Sequence, residues 1–332
     1  MKILVVMGGL SSEREISIKS GENVFNKLQS IYKNVEKYVL NDFRDFYRKI
    51  LDNHYDFVFI VLHGKNGEDG VIQTFLETLN IPFSFSNSVT SMIGMNKYLT
   101  NLVIEKFIKE NNIVNLFIPN TVYVKKEEYE KRGIDFVLEK MKQHFLYPPL
   151  IVKPNFSGSS VGLSIIENIK DLEKSLEKAL EKSFKEDPQI SLIQEYIEGR
   201  EITVGVIKKD DETMPLEPCE LELKESKLFD YENKYTKKIN HIIPPNLEET
   251  ALEYLKNISK RIFEYMGFKD AVRIDYRITK ENKLYFLEVN TIPGFTEVSL
   301  LPQEAEKTGI KFEELLKIII ENNIRKLQIE RS

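Results

Sequence analysis

Short apolar runs alternate with amphipathic stretches in the first third of the chain. The runs at 3–7, 35–40 and 57–62 predict buried strands, and a shorter run at 81–85 predicts a fourth. Helical patterns, with apolar residues three and four positions apart, separate these runs. Alternating strands and helices are typical of a parallel sheet, so we predict a doubly wound α/β domain over residues 1–95.

The pattern then continues through two further units. A helical stretch at 88–111 leads into a central unit at 96–193, which combines strands with amphipathic helices. The C-terminal unit covers 194–332 and ends in a helix. Its segment 229–243 is aromatic and basic and is long for a loop, which predicts a lid.

The most informative pattern is a hairpin formed by strands at 271–278 and 283–290, joined by a polar turn. Side chains alternate between the two faces of a strand, so parity divides the residues into two sets. The predicted core set is Val272, Ile274, Tyr276, Ile278, Tyr285, Leu287 and Val289. The opposite set is Arg273, Asp275, Arg277, Glu288 and Asn290.

Asp275, Glu288 and Asn290 would thus present three oxygen ligands on one sheet surface, which suits a hard cation such as Mg²⁺. Arg273 beside them suits a phosphate or a developing oxyanion. The alternative interpretation is a solvated face with a salt bridge. The Pro-Gly turn that follows Asn290 favours a site, because binding residues concentrate in loops at strand ends.

Two glycine-containing loops follow predicted strands in the first domain. One carries Glu13 and the other begins at His63, so both residues lie where ligands bind in doubly wound folds. A structural role for His63 is the alternative. A third loop, rich in Ser and Gly, follows Lys153 and could fold over phosphates, although an ordinary hairpin fits it equally well. Lys97 by itself would be assigned to the surface.

Composition narrows the class of protein. The 332 residues suffice for two or three domains. A formal charge of −5 gives no indication of a nucleic-acid or anionic-membrane partner. The single Cys219 excludes an internal disulfide framework and fits a reducing compartment. The N-terminal apolar run is too short for a signal-peptide core, so we expect a cytoplasmic protein without membrane association.

Six motifs together resemble the D-alanine–D-alanine ligase family of the ATP-grasp superfamily, over nearly the whole chain. They are GGLSSERE at 8–15, LHGKNGEDG at 62–70, KPNFSGSS at 153–160, YENKY at 231–235, RID at 273–275 and EVNTIPG at 288–294.

The resemblance implies a three-domain ATP-grasp architecture and an activity. ATP phosphorylates the carboxylate of one D-alanine, and the amine of a second attacks the acylphosphate. The products are D-alanyl-D-alanine for peptidoglycan precursor synthesis, ADP and phosphate. Two Mg²⁺ ions, with Mn²⁺ as an alternative, and a homodimer are also implied.

Site residues follow from the same resemblance. Glu13 and His63 belong to the first D-alanine, and Ser299 with the Leu300 amide to the second. Arg273 and an amide near Gly294 stabilise the oxyanion. Ser159 and Tyr235 bond to each other and to Glu13. The metal ligands are Asp275, Glu288 and Asn290. The nucleotide residues are Lys97, Lys153, Ser157, Ser160, Gln194, Glu195, Ile197, Glu201 and Lys234.

Two positions depart from the family pattern. Asn96 replaces an Asp that many relatives have before the first nucleotide lysine, and Gln194 replaces a Glu at the start of the adenine segment. Three other functions remain open at this stage. They are a ligase that uses D-lactate or D-serine as acceptor, a nucleotide-binding regulator without catalysis, and a dinucleotide oxidoreductase.

Overall fold

The fold was analysed in a computed structural model of the chain. It describes residues 1–158, 161–222 and 240–330, and the side chains of the last helix as far as residue 324.

The described strands and helices are numbered in chain order. The strands are β1 (Lys2–Gly8), β2 (Asn34–Leu40), β3 (Phe57–Ile60), β4 (Leu116–Phe117), β5 (Thr121–Lys125), β6 (Leu150–Pro154), β7 (Ser164–Ile166), β8 (Ile190–Glu195), β9 (Arg200–Lys209), β10 (Glu212–Pro215), β11 (Cys219–Glu222), β12 (Asn240–Ile242), β13 (Ala271–Ile278) and β14 (Leu284–Asn290). The helices are α1 (Arg14–Gln29), α2 (Phe43–Leu51), α3 (Val71–Thr78), α4 (Ser88–Met95), α5 (Lys97–Glu110), α6 (Lys126–Gln143), α7 (Leu172–Glu186), α8 (Glu249–Met266), α9 (Leu300–Lys307) and α10 (Phe312–Glu330).

The first sheet is parallel and has the order β2-β1-β3. The apolar run of β1 is buried from Ile3 to Met7, as expected for a strand covered on both faces. Its core continues into residues from the end of the chain, including Leu315 and Ile319 of α10. The predicted α/β class with a parallel N-terminal sheet is therefore confirmed.

The other two sheets are an antiparallel four-stranded sheet and a seven-stranded sheet that is antiparallel except for the parallel pair β14–β4. Four strands in the order β5-β8-β6-β7 pack against α6 and α7 around a separate core. The larger sheet has the order β12-β11-β9-β13-β14-β4, with β10 paired to β9. One of its faces is apolar and packs against α5 and α8.

Two predicted elements differ in the structure. The strand expected at 81–85 is reduced to one isolated bridge between Val58 and Phe83. The helix expected at 88–111 is two helices, α4 and α5, separated at Asn96. Asn96 has an extended backbone and its side chain accepts a hydrogen bond from the Leu99 amide, so it ends one helix and caps the next.

The predicted parity of the hairpin holds for β13 but is wrong for the first half of β14. Asp275 pairs with Glu288, whereas Tyr276 pairs with Phe286, so Leu287 is an extra residue in a β-bulge. Leu284 and Phe286 are therefore the core residues, whereas Tyr285 and Leu287 are only partly buried. Strict alternation could not predict this, because a bulge reverses the parity of every residue beyond it.

No helix within the described ranges is both long enough and apolar enough to span a bilayer.

Asp270 connects the sheets at the start of β13. Its carboxylate is buried and accepts hydrogen bonds from the Phe85 amide and from Asn323 Nδ2, both at 2.7 Å. Its backbone has a positive φ of 55°, a conformation that Asn and Asp adopt more readily than most residues. One side chain thus joins the N-terminal domain, the large sheet and α10.

We expect Asp270→Ala to destabilise the protein by about 2–4 kcal/mol, because it leaves a buried amide unpaired and strains the backbone. Both described hydrogen bonds use the same oxygen, Oδ2, so Asp270→Asn can keep both. Thermal unfolding should give a midpoint several degrees lower for Ala than for Asn. Equal midpoints for the two variants would contradict the role assigned to this carboxylate.

Candidate active site

A cleft that is partly open to solvent lies between the four-stranded sheet and the seven-stranded sheet. Residues from β6 and β8 line one wall, and residues from β13 and β14 line the other. The predicted site residues that line it are Lys97, Lys153, Ser157, Gln194, Glu195, Ile197, Glu201, Arg273, Asp275, Glu288 and Leu300. The fold thus brings most of the predicted nucleotide residues and two predicted metal ligands into one space.

Two carboxylates oppose each other across the hairpin, since Asp275 of β13 pairs directly with Glu288 of β14. Each has a cationic partner. Arg273 donates from Nε and Nη2 to the two Asp275 oxygens, both at 2.8 Å. Lys97 Nζ lies 3.3 Å from Glu288 Oε2. The repulsion between the carboxylates is therefore balanced by one cation from the same strand and one from α5.

Burial changes the protonation behaviour of the cations in the cleft. It lowers the pKa of the Lys153 ammonium to about 8; the Glu288 carboxylate acts in the opposite direction, and the positive charge of Lys97 adds to the lowering. Burial also acts to lower the pKa of the Arg273 guanidinium, but the adjacent Asp275 raises it above its ordinary value. Arg273 is thus permanently charged, whereas Lys153 is poised to lose its proton at mildly alkaline pH.

Lys97 also holds the loop that follows β6. Its Nζ donates to the Ser157 carbonyl at 2.6 Å, and the Tyr98 amide donates to the Asn155 side chain at 2.8 Å. The start of α5 is fixed by the Asn96 cap described above. The family departure at Asn96 therefore keeps a side-chain oxygen that places Lys97 at the first position of its helix.

The part of the cleft around Gln194 and Glu201 is organised by hydrogen bonds and one ion pair. Gln194 Nε2 donates to Thr121 Oγ1 at 2.9 Å, and the Asn120 amide donates to Glu195 at 2.8 Å. Arg277 Nη2 lies 2.8 Å from Glu201 Oε2. The same guanidinium donates to the carbonyl of Ile197 at 3.3 Å. These contacts fix the segment predicted to receive adenine and ribose.

The N-terminal domain contributes the predicted first-substrate residues. Glu13 is buried, and a Cβ placed on Gly158 would lie 2.5 Å from its Oε2. Glu13 therefore contacts the loop predicted to cover the phosphates. His63 is buried nearby, and its carbonyl accepts a hydrogen bond from Ser11 at 2.6 Å. A Cβ on Gly64 would lie 2.9 Å from the same Glu13 oxygen, so the two glycine-containing loops meet here.

The predicted second-substrate residues lie together at the start of α9. Ser299 is its N-terminal flanking residue, and Ser299 Oγ accepts a hydrogen bond from the Thr296 amide at 3.0 Å. A Cβ on Gly294 would lie 2.7 Å from that oxygen. Asn290 lies directly across from Arg273, and its side-chain oxygen accepts from the Ile292 amide at 3.2 Å.

Two buried carboxylates were missed from the sequence. Glu68 accepts from the Gly64 amide at 2.6 Å and from the Ile292 amide at 3.2 Å, so it joins the His63 loop to the segment after β14. Burial and the nearby Glu13 raise its pKa. Its place in a glycine-containing loop was the available signal. Glu304, in α9, gave no signal because its surroundings come from strands distant in sequence.

Four predicted site residues lie outside the described ranges. They are Ser159, Ser160, Lys234 and Tyr235. The predicted lid also lies outside them, except for residues 240–243 at β12.

The donor set suits Mg²⁺. Among the described residues no three His, Cys, Asp or Glu side chains cluster as a metal site. Asp275, Glu288 and Asn290 nevertheless provide two opposed carboxylates and an amide on one face of the hairpin. Mg²⁺ commonly takes one or two carboxylates and completes its shell with water and substrate phosphates, so this set fits that ion.

Comparison with known proteins matches almost the whole chain. Residues 34–86 match the family model for the D-ala D-ala ligase N-terminus, and residues 91–321 match the model for its C-terminus. The D-alanine–D-alanine ligase of Fervidobacterium nodosum is 39% identical over 98% of this chain and 100% of its own length.

Solved structures agree with these matches. The D-alanine–D-alanine ligase from Bacillus anthracis is 31% identical, with a TM-score of 0.77 and complete coverage of both chains. The same enzyme in complex with ATP gives 29% identity and a TM-score of 0.75, again over both complete chains. The ATP-grasp architecture is confirmed, and the chain belongs to the D-alanine–D-alanine ligase family.

Proposed function

We propose that this chain joins two D-alanine molecules into D-alanyl-D-alanine through an acylphosphate, with conversion of ATP to ADP and phosphate, for peptidoglycan precursor synthesis. The observation that carries the proposal is the cleft, where three cations converge on two opposed carboxylates between two sheets. This charge pattern suits the triphosphate and metal ions of a phosphoryl transfer. The names of the relatives provide independent support.

In this proposal ATP occupies the cleft with its phosphates near Lys97 and Lys153. The segment from Gln194 to Ile197 faces adenine, and Glu201, oriented by Arg277, accepts from the ribose hydroxyls. The loop from Ser157 to Ser160, joined to Lys97 at Ser157, covers the phosphates, and Lys234 approaches the γ-phosphate.

Asp275, Glu288 and Asn290 would hold two Mg²⁺ ions. These ions supply charge neutralisation at the transferring phosphoryl group. The lysines hold the transferring phosphoryl group in line with the carboxylate of the first D-alanine. The closed loop excludes water that would hydrolyse the acylphosphate.

Bond formation uses residues from opposite sides of the cleft. Glu13 holds the ammonium group of the first D-alanine beside His63. Ser299 and the Leu300 amide hold the carboxylate of the second. Arg273, with an amide near Gly294, stabilises the oxyanion as the amine attacks. Contacts among Glu13, Ser159 and Tyr235 would join the three domains around both substrates.

We propose domain boundaries at 1–95, 96–193 and 194–332, each domain providing one side of the site. A cytoplasmic location is consistent with Cys219, which is a free and buried cysteine. The homodimer implied by the family stays a prediction.

Substrate choice provides the direct test. With ATP, Mg²⁺ and equal concentrations of D-alanine, D-serine and D-lactate, we expect D-alanyl-D-alanine as the main product at pH 7–8. With L-amino acids in their place we expect no reaction. Chromatographic separation of products identifies the acceptor. Mainly depsipeptide or mixed dipeptide would assign the chain to a ligase with another acceptor. ATP binding without D-alanine-dependent phosphate release would instead indicate a regulator.

Glu288→Gln should reduce ligation by about a hundredfold or more, because the change removes a charged metal ligand and keeps its volume. Glu288 is 36% exposed, so the fold should remain intact. Phosphate release at saturating Mg²⁺ measures the loss, and circular dichroism checks the fold. Turnover close to that of the unmodified protein would rule out this metal assignment.

ATP binding should weaken above pH 8, since the buried Lys153 loses its proton there when no phosphate is bound. Between pH 7 and 9 we expect the Kd of a non-hydrolysable ATP analogue to rise about tenfold. Lys153→Arg keeps the charge throughout this range, so its Kd should change little. Calorimetric titration measures both, and equal slopes in the two proteins would contradict the role of Lys153.

A further inference from the structure

One fully buried carboxylate has no place in the mechanism above. Glu304 lies in α9 and is 0% exposed. Its Oε1 accepts from the Thr203 hydroxyl at 2.9 Å, and its Oε2 accepts from the Gly205 amide at 2.7 Å. Both donors belong to β9, so this side chain attaches α9 to the large sheet.

The attachment point lies directly beside the catalytic strand. In the pairing of β9 with β13, Gly205 is opposite Arg273 and Thr203 is opposite Asp275. Directly opposite residues present their side chains to the same face of a sheet. Glu304 therefore packs on the face that carries Arg273 and Asp275.

Gly205 makes this close approach feasible. A Cβ at this position would lie 2.5 Å from Glu304 Oε2 and 2.7 Å from Leu301 Cδ1. A side chain here would thus have to displace the ends of the Glu304 and Leu301 side chains, which would disturb the hydrogen bond from the Gly205 amide to Glu304. The Glu304 carboxylate occupies the space that a side chain at position 205 would need.

The two hydrogen bonds do not require a charged side chain at this position. Burial raises the pKa of the Glu304 carboxyl to about 7, although the Thr203 hydroxyl and Arg273 act to lower it. A neutral carboxamide could keep both contacts. Its oxygen would accept from the Gly205 amide, and its NH₂ group would donate to the Thr203 oxygen.

The helix attached in this way begins at the predicted acceptor subsite. Leu300 is its first residue and lines the cleft, and Ser299 flanks it. Glu304 is about one turn further along the same helix. A shift of α9 relative to β9 would move Ser299 and the Leu300 amide relative to Arg273.

We propose that Glu304 is a positioning residue of the acceptor subsite. It holds the start of α9 at a fixed distance from Arg273 through its hydrogen bonds to Thr203 and Gly205. The proposal rests on the function proposed above, because it assigns the second D-alanine to Ser299 and Leu300.

The test compares three variants with the unmodified protein. Glu304→Leu removes both hydrogen bonds at similar volume. Glu304→Gln can keep both and removes the charge. Glu306→Gln makes the same chemical change at an exposed position of the same helix and is the control. Initial rates over a wide range of D-alanine separate the KM values of the two D-alanine sites, and a second series gives the KM for ATP.

For Glu304→Leu we expect the KM of the second D-alanine to rise about tenfold or more, with the KM of the first D-alanine and of ATP changed less than about twofold. In Glu304→Gln the KM of the second D-alanine should stay within about threefold of that of the unmodified protein. Glu306→Gln should leave all three constants unchanged. A purely structural role would lower the thermal midpoint without this selectivity.

Three results would overturn the proposal. They are an unchanged second KM in Glu304→Leu, an equal rise of all three constants, and a Gln variant as impaired as the Leu variant. If Glu304→Leu does not fold, Thr203→Val removes one hydrogen bond at constant volume and decides the question. A rise of about threefold in the second KM supports the role, and no change contradicts it. Absence of dipeptide from the unmodified protein would refute the proposed function instead.

Discussion

The opposition of Asp275 and Glu288 across one hairpin is the constraint on which the site depends. Two carboxylates on neighbouring strands repel each other unless cations accompany them. Arg273 and Lys97 supply this charge, and Lys97 stands 191 residues before Glu288 in the chain. The ion pair of Lys97 with Glu288 thus places the start of α5 at the cleft, and the hydrogen bond of Lys97 to the Ser157 carbonyl places the loop there too.

The first domain is attached to this centre by contacts between loops. Glu13 reaches Gly158 in the central domain, while Glu68 binds the backbone after β14. Both carboxylates are buried, and both face glycine-containing backbone. Such contacts require a close approach of the main chain, which glycine permits because it has no side chain.

The parallel sheet and the shared face of the hairpin carboxylates could be predicted from local signals, whereas most of the other site residues followed only from the family resemblance. Short apolar runs predicted the parallel sheet, and the carboxylates of the hairpin share a face by simple alternation. The errors have physical causes. Asn96 divides a continuous helical pattern through its own cap, and the extra residue Leu287 reverses the parity of half a strand. Glu304 could not be found, since its hydrogen-bond partners lie about a hundred residues earlier in the chain.

The β-bulge at Leu287 divides β14 into two segments, one that packs in the core and one that carries site residues. Before the bulge, Leu284 and Phe286 belong to the core, and after it Glu288 lines the cleft and Asn290 lies two residues further along the strand. Each segment keeps its own inward-facing residues, and the extra residue absorbs the mismatch between them. Deleting one residue at this point would reverse the alternation of one segment, so that its core side chains would point to the opposite face of the sheet. Natural variation in the length of this hairpin should therefore be confined to its turn, where a change of length leaves both segments in register.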